Sequence, residues 1–227
     1  MPASAGLENM DDSQPVPRVG IDLGGTKIEG IVLAPDGAIS IRERVSSPSD
    51  SYSDVVAAVS DLAERLIRRA SLSAATPIGI GTPGVWQPAV QAMKNCNSTV
   101  LNGKPLLIDL ERRLGRPVRL ANDANCFALS ESADGAGAGE KTVFGVILGT
   151  GVGGGIVVNG EALNGPNAIA GEWGHTPIAY LRHEAHAKSQ AQTDFREEAL
   201  GAARTLADRV CYCGRVNCTE SFLSGPG

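Results

Sequence analysis

The chain has 227 residues and a formal charge of −5, from 20 Lys+Arg against 25 Asp+Glu, and 42% of it is hydrophobic while only 4% is aromatic. That length can bury a sizeable core, which excludes a disordered chain or a disulfide-stapled mini-protein, and the mild acidity without a basic stripe excludes a nucleic-acid surface. No run approaches the ~20 apolar residues of a membrane span, and the opening lacks the charged-then-apolar order of a signal peptide. The expected chain is therefore cytoplasmic, with neither membrane nor nucleic acid as partner. Five cysteines, an odd number, fit a reducing compartment better than a disulfide framework.

Residues 1–17 mix small, acidic and Pro residues without periodicity and are expected to form a tail. From Arg18, VGIDLGG, IEGIVLA and AISIRERV predict three short antiparallel strands, separated by GGTK and by the turn Pro35-Asp36-Gly37. Tyr52 to Ala70 carries apolar residues at helical spacing behind Asp50 and Ser51 as candidate caps. IGIGTPG then predicts a buried strand. Leu106 to Leu114 predicts a helix stopped by Gly115 and Pro117, followed by the strand RPVRLA and a helix from Asp123 to Ser132.

After the small-residue segment Asp134 to Gly139, TVFGVILGTGVGGGIVVNG repeats the opening pattern of strand, Gly-rich turn and strand. The repeat predicts two similar α/β domains, placed at 18–118 and 119–227.

Gly makes up 28 of the 227 residues, about twice the usual ~7%. Glycines at a strand-to-strand turn let backbone N–H groups converge on an anion, so each turn is either a phosphate grip or a structural hairpin. In the first, Asp22 precedes Gly24-Gly25, where a carboxylate suits Mg²⁺ directly or through its water, and Thr26 and Lys27 suit phosphate. Gly149-Thr150-Gly151 is the matching turn. Neither fits GxxxxGK[ST], and neither strand runs directly into a helix, which disfavours P-loop and dinucleotide readings.

LANDANC places Asn122 and Asp123 where a strand meets a helix, the usual place for a functional side chain in an open α/β sheet. Asp123 there is either a helix cap or a carboxylate that orients a substrate hydroxyl and takes its proton late in phosphoryl transfer. CYCGRVNC groups the thiols of Cys211, Cys213 and Cys218, a pattern that suits zinc. The fourth ligand is open among His175, His183 and His186. Cys96 and Cys126 read as small buried hydrophobes.

With DLGGTK, ANDANC, GTGVGGG, GEWGH and CYCG in this order, the chain resembles the bacterial ROK family of sugar kinases and sugar-sensing repressors, from about Arg18 to Gly227. Its wording is most similar to the fructokinase (manno-fructokinase) branch. The resemblance implies an actin-like ATPase (ribonuclease H-like) α/β architecture, two domains flanking a cleft. It also implies transfer of the ATP γ-phosphoryl group to the 6-hydroxyl of a hexose, with Asp123 as general base. Asn97, Asn122, Glu172, His175 and Glu220 would contact the sugar. ATP and Mg²⁺ would lie across Gly20, Asp22, Gly24, Gly25, Thr26 and Lys27 on one side and Gly149, Thr150, Gly151 and Gly153 on the other. His175 would join Cys211, Cys213 and Cys218 around a structural zinc that fixes the segment carrying Glu220.

The resemblance further implies a homodimer. Glucokinase, N-acetylglucosamine kinase and a catalytically weak sugar- and zinc-binding remnant stand as alternatives.

Three features depart from the family pattern. His175 and Cys211 are 211 − 175 = 36 residues apart, a long interval in which Phe195, Ala199, Ala202, Leu206 and Val210 recur at helical spacing. Asn217 replaces the Gly that generally precedes the last cysteine, and Asn tolerates the left-handed conformation better than most residues. The chain ends at SFLSGPG where family members continue, so the C-terminal part of the architecture is expected to be missing.

Overall fold

The structure is a computed structural model that describes residues 16–48, 50–73, 76–149, 151–166, 168–178 and 208–225. The chain divides into two compact units, one ending at Asp123 and the other starting at Ala124.

In the first unit, β1 (Arg18–Leu23), β2 (Lys27–Leu33) and β3 (Ile39–Ser46) form the expected meander. Helix α1 (Tyr52–Arg69) leads to β4 (Ile78–Thr82). A short hairpin of β5 (Val85–Gln87) and β6 (Ala92–Lys94) follows, then α2 (Leu106–Leu114) and β7 (Val118–Asn122). The strand order is β3-β2-β1-β4-β7, with β4 parallel to both β1 and β7. Parallel neighbours require crossover connections, here made through α1 and α2.

Helix α1 begins where the Ser51 hydroxyl accepts the Asp54 N–H at 3.3 Å, so Ser51 is the cap between the two candidates. Its buried stripe of Val55, Val59, Leu62, Leu66 and Ile67 packs on the sheet. Helix α2 ends at Gly115, whose φ of 62° fits the left-handed stop expected there. Tyr52 at the start of α1 donates to the Asp109 carboxylate of α2 at 2.7 Å, tying the two helices together. Burial and that carboxylate push the Tyr52 hydroxyl well above its ordinary pKa.

The expected domain boundary at 118/119 differs from the observed division by one strand. β7 pairs with β4 along its whole length, so it completes the first sheet.

The second unit takes all but the first residue of α3 (Asp123–Ala133). It contains a three-stranded sheet of β8 (Thr142–Leu148), β9 (Val152–Val158) and β10 (Glu161–Ala162), in the order β10-β9-β8. Gly145 and Gly155 are cross-strand partners, and α3 approaches over them. A Cβ on Gly155 would lie 2.5 Å from the Ala124 carbonyl, and one on Gly145 2.9 Å from the Ala128 Cβ. Part of the glycine excess thus serves helix-on-sheet packing. The unit closes with α4 (Glu220–Leu223).

Most of the helix expected from the 195–210 spacing lies outside the described residues. Val210, which is described, is instead bridged to Val216. No helix among the described residues is long and apolar enough to cross a membrane.

The α1–sheet contact is testable at Gly30, where a Cβ would sit 2.5 Å from Leu66 Cδ1. Gly30→Ala should destabilise by about 1–3 kcal/mol through overpacking. Leu66→Ala alone should cost about 2–5 kcal/mol, and combining the two should make the Gly30 change nearly neutral. Denaturant unfolding of the four proteins measures this coupling, and strictly additive costs would refute the contact.

Candidate functional site

The parallel register of β1, β4 and β7 aligns Asp22 with Gly81 and Gly81 with Ala121. The three strands therefore end together, and one edge of the sheet carries Asp22, the Thr82-Pro83-Gly84 turn, Asn122 and Asp123. This is the carboxyl end of the strands, where open α/β sheets place their ligands.

At the first turn, Gly24 N–H donates to the Lys27 carbonyl at 3.0 Å, and a Cβ on Gly24 would fall 2.8 Å from that oxygen. Among the described residues, the amides of Gly25 and Thr26 have no hydrogen-bond partner. Two open amides beside the Lys27 ammonium form an anion-binding concavity. Asp22 faces Glu29 directly across the ladder. Partial burial first, and the Glu29 charge second, push the Asp22 carboxyl above its usual pKa, with Lys27 offsetting part of the effect. Glu29 itself is held low by its hydrogen bond with Arg44. A carboxylate in that position is relieved by a cation, so the donor chemistry fits Mg²⁺. Gly20 lies apart from the turn, in the body of β1 opposite Ile31.

Asn97 is carried to the same edge by its backbone, whose N–H donates to the Pro83 carbonyl at 3.3 Å. The neighbouring Cys96 is buried, and both burial and the charge of Asp123 push its thiol up to about 11. Asp123 therefore lies close to the loop that carries Asn97. Asn102 clamps this loop from both sides: its amide oxygen accepts Cys96 N–H at 2.9 Å and its amide nitrogen donates to Cys96 C=O at 3.1 Å. Asn102 is not among the residues that the sequence motifs single out, although it lies five residues after Asn97. Asp123 opens α3 as its first residue, so its carboxylate also faces the positive end of the helix.

In the second unit, the 172–178 segment pairs with the chain around Cys218. Glu220 N–H donates to Gly174 C=O at 2.8 Å, Thr219 N–H to Thr176 C=O at 2.8 Å, and Ile178 N–H to Asn217 C=O at 3.1 Å. This pairing brings His175 against the knuckle. His175 Nδ1 is 3.5 Å from Cys211 Sγ, and Cys213 Sγ is 3.6 Å from Cys218 Sγ. All four donor atoms lie within 4.8 Å of one another. A tetrahedral Zn²⁺ takes sulfur at about 2.3 Å and nitrogen at about 2.0–2.1 Å, which separates neighbouring donors by about 3.5–3.8 Å.

The charges agree with that geometry. Cys213 is pulled down, chiefly by the Arg215 backbone N–H, while burial and the adjacent thiols push Cys218 up to about 12. Such a cluster needs a cation before every thiol can ionise. All five cysteines are free thiols. Asn217 adopts φ +58°, the left-handed conformation that Asn tolerates better than most residues, and its side chain accepts Arg209 N–H and donates to Asp208. His183 and His186 lie outside the described residues.

Glu220 is 8% exposed, and its Oε2 accepts the Val152 N–H at 3.0 Å. It therefore reaches the second Gly-rich turn, where a Cβ on Gly151 would be 3.0 Å from the same oxygen. Glu172 Oε1 lies 4.0 Å from the place of a Cβ on Gly153, and Trp173 Nε1–H donates to Gly153 C=O at 2.8 Å. The Gly149 amide is engaged with Gly151 C=O at 2.9 Å. Thr150 lies outside the described residues. Tyr212 was not singled out from the sequence, yet its hydroxyl sits 3.0 Å from His175 Nε2. No feature of its sequence position announces that contact.

An N-acetyl-D-glucosamine kinase of Pectobacterium atrosepticum is 38% identical over 209 residues, covering 92% of this chain and 62% of that protein. The chain thus spans less than two thirds of that relative's length. A ROK family glucokinase from Streptomyces griseus, solved with glucose and AMPPNP, superposes with a TM-score of 0.71 at 27% identity, over 92% of this chain and 58% of that one. A ROK hexokinase from Thermus thermophilus gives 0.67 at 29% identity, over 92% and 61%. None of these three is named as a fructokinase. The fold is that of ROK sugar kinases, the actin-like ATPase architecture in its α/β form. The ROK family model matches residues 18–227, and the chain belongs to the ROK family.

Proposed function

We propose that this chain is an ATP-dependent sugar kinase that transfers the γ-phosphoryl group to the 6-hydroxyl of a hexose, with Asp123 as general base. The observation that carries this reading is the shared edge of the first sheet, where Asp123 directly follows β7 at the same end of the strands as Asp22 and the open amides of Gly25 and Thr26. N-acetyl-D-glucosamine is the first acceptor to test, because the relative from Pectobacterium atrosepticum is a kinase of that sugar and its similarity covers 92% of this chain. Fructose, the acceptor favoured by the sequence wording, is the second.

An aspartate of reference pKa ~3.9 is too weak to ionise an alcohol in advance. Asp123 therefore orients the hydroxyl and accepts its proton late, as the bond to phosphorus forms. Asn122 and Asn97 supply amides to neighbouring hydroxyls. The Gly25 and Thr26 amides and Lys27 hold phosphate oxygens, and Asp22 holds Mg²⁺ directly or through its water. Bound Mg²⁺ supplies neutralisation of the charge on the β- and γ-phosphates. Glu172 and Glu220 accept from acceptor hydroxyls. Cys211, Cys213, Cys218 and His175 Nδ1 hold Zn²⁺, which fixes the segment that ends in Glu220. Soluble and cytoplasmic operation and a homodimer belong to the same reading.

A coupled ADP-release assay with MgATP tests it, comparing N-acetylglucosamine, fructose, glucose and mannose with a no-sugar control. Sugar-dependent turnover is expected. Folded, zinc-loaded protein that turns over none of the four would refute the reading, and sugar binding without turnover would favour the non-catalytic alternative.

Asp123→Asn should lower kcat by about 10²–10⁴-fold, the usual worth of a positioned general base. Its sugar dissociation constant should barely move, and retained turnover would remove Asp123 from that role. Cys213→Ser should weaken zinc binding by more than the roughly 10–100-fold that loss of an outer-shell partner costs. Competition against a chromophoric chelator measures it, and unchanged zinc affinity would exclude Cys213 as a ligand.

A further inference from the structure

Asn125 is the third residue of α3, two after Asp123, and is 5% exposed. A side-chain amide buried to that extent needs partners for its donors. One partner comes from far along the chain: Asn125 Nδ2–H donates to Asn164 Oδ1 at 3.1 Å, across 39 residues. Asn164 lies just beyond β10 and is itself exposed, so the bond fastens a surface loop to the helix rather than filling a core.

The restraint passes from Asn164 towards Glu172. The Asn164 carbonyl accepts Ala170 N–H at 3.2 Å. Gly165, at φ +67°, turns the chain so tightly that a Cβ there would meet the Ala170 Cβ at 3.2 Å. Glu172 N–H in turn donates to Ile169 C=O at 3.1 Å. Gly171, between Ala170 and Glu172, lies against β9: a Cβ on Gly154 would fall 2.9 Å from the Gly171 carbonyl, and one on Gly171 2.9 Å from the Gly154 carbonyl.

Both ends of the loop return to β9, through Leu163 N–H to Ile156 C=O at 2.8 Å and through Trp173 Nε1–H to Gly153 C=O at 2.8 Å. Asn125 adds the tie to α3, the helix that Asp123 opens. Glu172 thus follows a stretch of chain anchored on a strand and on a helix together.

We propose that Asn125 is a positioning residue of the acceptor site, whose bond to Asn164 sets the chain entering Glu172 against α3 so that the Glu172 carboxylate meets sugar hydroxyls in one orientation. The proposal rests on the reading of Glu172 as a hydroxyl acceptor given above. A hydroxyl contact made equally before and during transfer is uniform binding, so its loss raises KM and leaves kcat in place.

Because Asn164 is exposed, Asn164→Ala removes the acceptor without opening a core. In the zinc-loaded chain the melting temperature should be unchanged, while sugar affinity by calorimetry, with N-acetylglucosamine and fructose as probes, weakens about 3–10-fold. KM should rise by the same factor with kcat within about twofold. Asn164→Asp keeps an oxygen for the Asn125 amide and should stay within about twofold of the unmodified affinity. Asn125→Ala combined with Asn164→Ala should bind sugar no more weakly than Asn125→Ala alone. Side-chain amide exchange reads the tie without sugar: the Asn125 resonance, identified by its loss in Asn125→Ala, should exchange slowly in the unmodified chain and fast in Asn164→Ala.

Unchanged sugar affinity in Asn164→Ala, or an Asn164→Asp protein as weak as Asn164→Ala, would overturn the proposal while leaving the kinase reading intact. A protected Asn125 amide with no sugar binding by the unmodified chain would instead overturn the acceptor role of Glu172, and with it the proposal's link to the sugar.

Discussion

The parallel alignment of β1, β4 and β7 is the constraint on which the first unit depends. Because the side-chain period of a strand is two, a one-residue slip would turn Asp22 and Asn122 to the opposite face and bury them in the core. The register is protected by what lies beneath it: Ile21, Ile78 and Ile80 are buried alternately with the edge-directed residues, and α1 closes over them. Hydrophobic burial of the sheet's inner face thus fixes the placement of carboxylates at its end. The amphipathic stripe of α1 is therefore as much a part of the site as Asp123 is.

The second unit reaches order by another route. Among the described residues its sheet has three strands, and its functional segment is held by backbone pairing between 174–178 and 217–220 together with the His/Cys cluster. Crowded thiols repel one another as they ionise, so the cluster is electrostatically incomplete alone and complete around a divalent cation. His175 belongs to both arrangements. Its carbonyl accepts from Arg215 at 3.1 Å and lies 3.6 Å from Cys218 Sγ, while its ring joins the cluster, so local pairing and metal geometry restrain the same residue.

Legibility in the sequence followed the range of the interaction. α1, α2 and the two strand–turn–strand units were readable because periodicity, Ser51 and Gly115 are local signals. The β5–β6 hairpin and β10 were not, since strands of two or three residues are too short to show a period. The knuckle cysteines were readable from spacing, whereas His175 was named only through the family resemblance, and the pairing with the 217–220 chain is what brings it against them. Asn102 and Tyr212 act through contacts made across a turn or a fold-back, and neither residue type in isolation signals such work. The Val152–Glu220 bond spans 68 residues and leaves no trace in the sequence.

That bond also separates two motifs that look alike. Each Gly-rich turn joins two strands through glycines, a pattern that fits either a phosphate grip or a structural hairpin. In the first turn the Gly25 and Thr26 amides remain open beside a lysine and a cation-seeking carboxylate. In the second, the Gly149 amide donates to Gly151 C=O and the Val152 amide to the Glu220 carboxylate. A glycine pattern reports where backbone can approach a ligand; which amides remain to bind it depends on side chains that arrive from far along the chain.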